Sequence, residues 1–185
     1  FHFVEADDGY LACGDVGRGR LAEPERIVSA VLDLLNENEE SKNDFAGKRV
    51  MVTAGPTVEP IDPVRYLTNR SSGKFGYALA TAAAKRGAQV TLISGPVALP
   101  APAGVEVTYV ESACDMLAAA EDSFANADIA LFAAAVADMR PANPADKKLK
   151  KGKNDSELSA IQLTENPDIL ATLGHKKEHQ VVIGF

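Results

Sequence analysis

The stretch from Lys48 to Tyr77 carries residue types suited to holding an anion. Thr53-Ala-Gly-Pro-Thr57 follows an apolar run, and Ser71-Ser-Gly-Lys-Phe-Gly76 opens an alanine-rich segment. A helix starting at Ser71, Ser72 and Gly73, with Lys74 beside it, offers unpaired backbone N–H groups and roughly half a positive charge to a phosphate. Arg65, Asn69 and Arg70 add donors at the same end. The spacings match neither the dinucleotide fingerprint nor a Walker A loop, so an ordinary helix start stands beside the phosphate reading. Five lysines lie between Lys147 and Lys153; such a run is a solvated segment or a cationic lid over a polyphosphate. Asp138 follows an apolar run and is either a turn residue or a contact to a sugar hydroxyl or metal. Cys13, among glycines, is a reactive thiol or a small residue in a tight turn. Cys114 begins a helix and reads as structural. His175 and His179 share i,i+4 spacing but lack a third ligand nearby, which makes them surface residues. No Ser/His/Asp arrangement is arguable.

These residues need elements to position them. Val50–Thr53 predicts a buried strand, and Gly73–Arg86 a helix with Ser71 or Ser72 as N-cap and Gly87 just past its end. Strands follow at Gln89–Ser94, Val105–Val110, Ile129–Val136 and Gln180–Gly184, with helices at Ala113–Phe124 and Asn166–Leu173. Asn166 is the expected N-cap of the last helix, with Pro167 in its first turn. The alternation predicts an α/β, Rossmann-like doubly wound, mostly parallel sheet with helices on both faces. Ligands would then gather beyond the carboxyl ends of the strands, at the loops 54–72, 95–104 and 137–166. Upstream, Phe1–Val4 reads as a strand end. Asp7–Arg20 has four glycines in fourteen residues and predicts a loop. Leu21–Leu35 reads as an amphipathic helix, and Asn36–Asn43 as a polar linker.

The chain has 185 residues, 46% hydrophobic and 24% charged, with a formal net charge of −7. That charge argues against nucleic acid or an anionic membrane as partner. No apolar run reaches the roughly 18 residues of a spanning helix. The two cysteines, far apart, make no disulfide framework and point to the reducing cytoplasm. The chain starts without Met and stops directly after an apolar run, so it reads as a fragment.

Together the motifs resemble one family, the bifunctional phosphopantothenoylcysteine decarboxylase/phosphopantothenate–cysteine ligase of bacterial coenzyme A biosynthesis. The matching stretches are Thr53–Thr57, Glu59-Pro-Ile-Asp-Pro-Val-Arg-Tyr66, Asn69–Gly76, Ala133-Ala-Ala-Val-Ala-Asp138, Lys148-Leu-Lys-Lys151 and Asn166-Pro-Asp168. Ala12-Cys-Gly-Asp-Val-Gly-Arg-Gly-Arg20 is similar to the end of the decarboxylase half. The resemblance implies three regions: residues 1–36 as the tail of a flavodoxin-like decarboxylase domain, 37–46 as linker, and 47–185 as a ligase domain cut short at its carboxyl end.

The implied reaction joins 4′-phosphopantothenate to L-cysteine with CTP and Mg²⁺. An acyl-cytidylate forms, pyrophosphate leaves, and the cysteine amino group attacks. The resemblance assigns charge screening to Arg65 and Lys148 and a hydrogen bond on the activated acyl group to Asn69. It assigns cytidine contacts to Ala133, Ala134, Ala135, Asp138, Lys148, Pro167, Asp168, Ile169, Leu170 and Phe185. Ser71, Ser72, Gly73 and Lys74 would receive phosphate by the helix-dipole argument. Cys13 and FMN belong to the decarboxylase half, and the ligase domain is expected to be a homodimer; metal ligands are unassigned. The alternatives are a non-catalytic nucleotide-binding or dimerisation module and a nicotinamide-dependent oxidoreductase. The latter is weakened by Ser94-Gly-Pro96, which stands where a ribose-binding acid would end the second strand.

Overall fold

The computed structural model describes residues 4, 5, 7–10, 16–20, 22–40 and 43–185. It divides into two compact units, residues 1–44 and 45–185. In the first, β1 (Asp7–Tyr10) and β2 (Val16–Arg20) pair antiparallel, and α1 (Pro24–Glu40) follows. Within the expected loop over 7–20, residues 7–10 and 16–20 are thus paired strands, since antiparallel pairing satisfies their backbone groups. The helix runs on to Glu40, through residues whose composition suggested a linker, since adding residues to an existing helix costs little. Cys13 and most of Phe1–Val4 lie outside the described residues.

The second unit is built on β3 (Arg49–Ala54), β6 (Gln89–Ser94), β7 (Val105–Tyr109), β8 (Ile129–Phe132) and β11 (Val181–Gly184). They form one sheet in the order β11-β8-β3-β6-β7, every pair parallel. The chain therefore winds one way from β3 through β6 to β7, and the other way through β8 to β11. This is the Rossmann-like doubly wound α/β arrangement, and its topological switch lies between β3 and β8.

Period-two alternation sends β3 residues to both faces. Val50, Val52 and Ala54 pack under α2 (Lys74–Lys85), against Tyr77, Ala80 and Ala83. Met51 packs on the other face, with Met116, Ala120 and Phe124 of α3 (Ala113–Phe124) and Leu173 of α5 (Ile169–His175). Among the described residues no helix is long and apolar enough to cross a membrane.

Several sequence expectations change at the helix ends. Neither Ser71 nor Ser72 caps α2. Its N-cap is Gly73, at φ +71°, and the Ser71 hydroxyl instead accepts from the Gly73 N–H at 3.3 Å. The left-handed backbone lets the chain turn tightly where Gly73 meets Gly55 and Val97. Gly87 does sit past the end of α2 with positive φ. Helix α5 begins at Ile169, capped by Asp168, whose carboxylate accepts from the Ala171 N–H at 2.8 Å. Asn166 and Pro167 precede it, so neither holds its expected position. Cys114, expected to be structural, is an exposed free thiol.

The two long loops also hold regular structure. Within 54–72, β4 (Val58–Pro60) pairs antiparallel with β5 (Tyr66–Thr68). Within 137–166, β9 (Met139–Pro141) pairs antiparallel with β10 (Leu163–Glu165), and the short α4 (Asp155–Ser159) lies between them. Strand β8 stops at Phe132, earlier than its apolar run suggests, because its partner β3 ends at Ala54 and turns at Gly55 (φ +77°).

Candidate functional site

A cavity of about 470 Å³ opens beyond the carboxyl ends of β3 and β8, within the usual range for small-molecule sites. Its floor is Thr53 with Phe132, and one wall is the run from Ala134 to Met139. The opposite wall runs from Glu165 to Leu170 and ends at Phe185. A hollow of similar size, about 500 Å³, lies at the amino ends of the strands beside Arg49 and Glu106. There the Arg49 backbone N–H donates to the Asp128 carboxylate at 2.7 Å, and the Arg49 Nε lies 4.0 Å from the same carboxylate. The switch-point cavity is the candidate site.

Its first wall is held by the Thr53–Thr57 turn. Ala133 N–H donates to the Thr53 carbonyl and Ala135 N–H to that of Gly55 (2.8 Å), and Pro56 bridges to Ala135. Thr57 is fully buried; its hydroxyl oxygen accepts from the Ala137 N–H at 2.9 Å. The second wall is tied to the first by Asn166. Its Nδ2 donates to the Ala137 carbonyl at 2.8 Å, and its Oδ1 accepts from the Arg140 guanidinium at 3.0 Å. Asn166 therefore clamps two loops, a role that its helix-start motif did not suggest.

Of the residues proposed from sequence to bind the nucleotide, Ala134, Ala135, Asp138, Pro167, Asp168, Ile169, Leu170 and Phe185 all line this cavity. Ala133 and Lys148 do not. Ala133 is one residue below the rim, its N–H spent on Thr53. The Asp138 side chain is exposed and has no hydrogen bond or ion pair among the described residues.

Asn69 adjoins the same wall. Its Nδ2 donates to the carbonyls of Ala135 (3.3 Å) and Val136 (3.0 Å). Both amide hydrogens are thereby used, and the acceptor Oδ1 is what remains. Ser71, Ser72, Gly73 and Lys74 are outside the cavity lining, yet the next residue, Phe75, touches Phe185 on its rim.

Arg65 and Lys148 meet elsewhere. Asp62, buried, begins an Asx turn before Pro63: its Oδ1 accepts from the Val64 and Arg65 N–H groups, both at 2.9 Å. Its Oδ2 accepts from Arg65 Nε at 3.1 Å and from the Leu149 N–H at 3.1 Å. Arg65 Nη2 returns a bond to the Leu149 carbonyl at 2.8 Å. The guanidinium is thus neutralised by Asp62 and fastens the lysine loop at Leu149, leaving Lys148, Lys150 and Lys151 exposed around that anchor. The resemblance assigns Arg65 to screening charge on the reactants; the turn signal in Asp62-Pro63 was the available hint of this anchor.

The Asp62 carboxyl is held well below the usual carboxylate range, first by the Arg65 guanidinium and then by the three backbone N–H groups, against burial. A depressed folded-state value contributes stability that is complete above the unfolded value of about 3.9 and is lost as pH falls through the folded value. Stability from this anchor should accordingly be constant from pH 8 to 5 and decline only under stronger acid. Asp62→Asn should flatten that acid limb and speed amide exchange in 142–154. Equal acid slopes for the two proteins in denaturant titrations at pH 2–5 would contradict this.

The two remaining chemical groups are accounted for. Glu59, 1% exposed, accepts from the Ala113 N–H at 3.0 Å and so serves the start of α3. His175 and His179 are both exposed, and among the described residues no cluster of three or more His, Cys, Asp or Glu could hold a metal.

Comparison with known proteins follows the same outline. The model of the DNA/pantothenate metabolism flavoprotein C-terminal domain matches residues 45–185. The coenzyme A biosynthesis bifunctional protein CoaBC of Bacillus subtilis (strain 168) is 49% identical over 184 residues, 99% of this chain and 44% of that protein. The CoaBC protein of Escherichia coli (strain K12) is 46% identical over 180 residues, 97% of this chain and 43% of its own. A protein named cysteine/cysteine sulfinic acid decarboxylase, from an unknown prokaryotic organism, is 46% identical over 186 residues, all of this chain and 51% of that one. The chain spans about half the length of these curated relatives. A crystal structure of the C-terminal domain of a CoaBC protein superposes with a TM-score of 0.67 at 47% identity, covering 77% of this chain and 66% of the other. The Streptococcus pneumoniae DNA/pantothenate metabolism flavoprotein, at 22% identity and a TM-score of 0.61, shares the fold. With a family model spanning its whole second unit and near-half identity along almost its entire length, the chain belongs to the family of the DNA/pantothenate metabolism flavoprotein C-terminal domain.

Proposed function

We propose that residues 47–185 belong to a ligase that joins 4′-phosphopantothenate to L-cysteine at the expense of CTP. One observation carries the reading: the switch-point cavity gathers eight of the ten residues that motif resemblance assigns to a cytidine nucleotide. A phosphopantothenate carboxylate oxygen attacks the α-phosphorus of CTP and pyrophosphate departs. The cysteine nitrogen then attacks the acyl carbon, CMP departs with the bonding pair, and the nitrogen loses a proton. Carboxylate activation of this kind brings two polyanions together, so cations near the rim lower its barrier.

Asn69 serves the second step. Its free group is an acceptor, which suits the N–H of the incoming amine and orients it on the acyl carbon. Lys148 and its neighbours supply charge at the first step, swinging from the Leu149 anchor. Mg²⁺ would travel with the triphosphate, which needs only one or two protein carboxylates; the unpaired Asp138 fits that requirement. Bound there, the ion would neutralise phosphate charge. FMN goes with the decarboxylase half, of which residues 1–36 are the counterpart here, and no step is derived through it. The reading also takes the protein as a cytoplasmic homodimer.

The test is pyrophosphate release on adding phosphopantothenate with CTP or with ATP, followed by amide formation on adding cysteine. Release with CTP and not ATP is expected; no release with either would remove the proposal. Lys148→Gln should slow pyrophosphate release by about tenfold to a hundredfold while CTP still binds, which single-turnover measurements would read. A second reading is favoured by the decarboxylase relative that matches this entire chain: the longer protein would release carbon dioxide from a cysteine derivative, and labelled-carboxylate assays separate the two.

A further inference from the structure

Phe75 has no core function in the fold. The buried side of α2 is Gly76, Tyr77, Ala80 and Ala83, and Phe75 lies off it, 55% exposed. Neither Phe75 nor Phe185 belongs to either hydrophobic cluster of the second unit. Yet their rings meet edge to face, with centroids 4.9 Å apart and planes at 84°, and Phe185 is on the cavity rim. An edge-to-face contact occupies at most one face of each ring and fixes the plane of one ring against the other. A ring at the rim of a cavity whose plane is fixed by a second ring can serve as a stacking platform for a flat ligand.

We propose that Phe75 is a positioning residue that holds the Phe185 ring in the plane on which the base of a bound nucleotide stacks. This rests on the nucleotide reading of the cavity and adds to it a specificity element on α2. The selected ligand feature is a flat heteroaromatic ring, independent of the phosphate chain.

The test measures binding of CTP–Mg²⁺ and of inorganic tripolyphosphate–Mg²⁺ by titration calorimetry. Phe75→Leu keeps apolar bulk and removes the ring; it should weaken CTP by about three- to tenfold, the worth of an edge-to-face pair, and leave tripolyphosphate unchanged. Phe75→Tyr should restore CTP affinity. Phe185→Leu should weaken CTP by at least as much, and the double variant should be no weaker than Phe185→Leu alone, because Phe75 acts through Phe185. Unchanged CTP affinity in Phe75→Leu, or losses that add in the double variant, would overturn the positioning role while leaving the cavity reading intact. Absence of CTP binding by the unsubstituted protein would overturn both.

Discussion

Asn69→Asp is expected to leave pyrophosphate release within a few fold of the unsubstituted protein and to cut amide formation about a hundredfold or more. The reason is local. The Asn69 amide nitrogen faces two carbonyl oxygens, those of Ala135 and Val136. A carboxylate in its place sets negative oxygens against both and removes the two donated bonds. The segment carrying residue 69 must then move away from the cavity wall, and with it the acceptor proposed to orient the amine. Cavity residues of the Ala134–Leu170 walls keep their own bonds, so activation should survive. Rapid-quench analysis should show the activated acyl species accumulating. Normal amide yield would take Asn69 out of the mechanism, whereas loss of pyrophosphate release would move its role to the first step.

The second large effect is on the frame itself. A Cβ added at Gly95 would lie 1.7 Å from the Pro56 carbonyl oxygen, a backbone atom that cannot rotate away. Gly95 N–H also donates to the Ala54 carbonyl at 2.9 Å, so the two segments are pressed together from both sides. Gly95→Ala should destabilise the protein by about 3 kcal/mol or more, lowering its melting temperature by about 10 °C. Because Pro56 bridges to Ala135, nucleotide affinity should fall with stability. Gly174→Ala is the contrasting case: in α5, with nothing within 4 Å of the added carbon, it should be neutral or stabilise by about 0.5–1 kcal/mol. Paired thermal melts check both, and a Gly95→Ala protein as stable as its parent would mean the turn relaxes freely.

Much of the frame was legible in the chain. Apolar runs of four to six residues punctuated by Gly and Pro specify β3, β6 and β11, and the Ser112-to-Asp115 spacing stands at a helix start that forms as a reciprocal capping box. Local periodicity reports burial on one or both sides, which is what makes strands and helices. The motifs at 133–138 and 166–170 were expected at the carboxyl ends of the strands, and residues of both line the switch-point cavity, the first directly after β8 and the second at the start of α5. The strand pairs β4–β5 and β9–β10 were missed because three-residue strands leave too short a pattern to distinguish from loop.

Tertiary structure alone decided how the polar side chains divide their bonds. Arg65 looked free for a substrate anion until Asp62 and Leu149 were brought to it. Asn166 looked like a cap until Ala137 and Arg140 arrived from the other wall, and the cap fell to Asp168. The Phe75–Phe185 pair joins positions that nothing in the sequence connects. Element formation depends on neighbours a few residues apart, so sequence spacing suffices to read it. A hydrogen-bond donor or a ring is satisfied by whichever partner the fold delivers, from 84 residues away in the case of Arg65 and Leu149, and only the folded chain makes that choice.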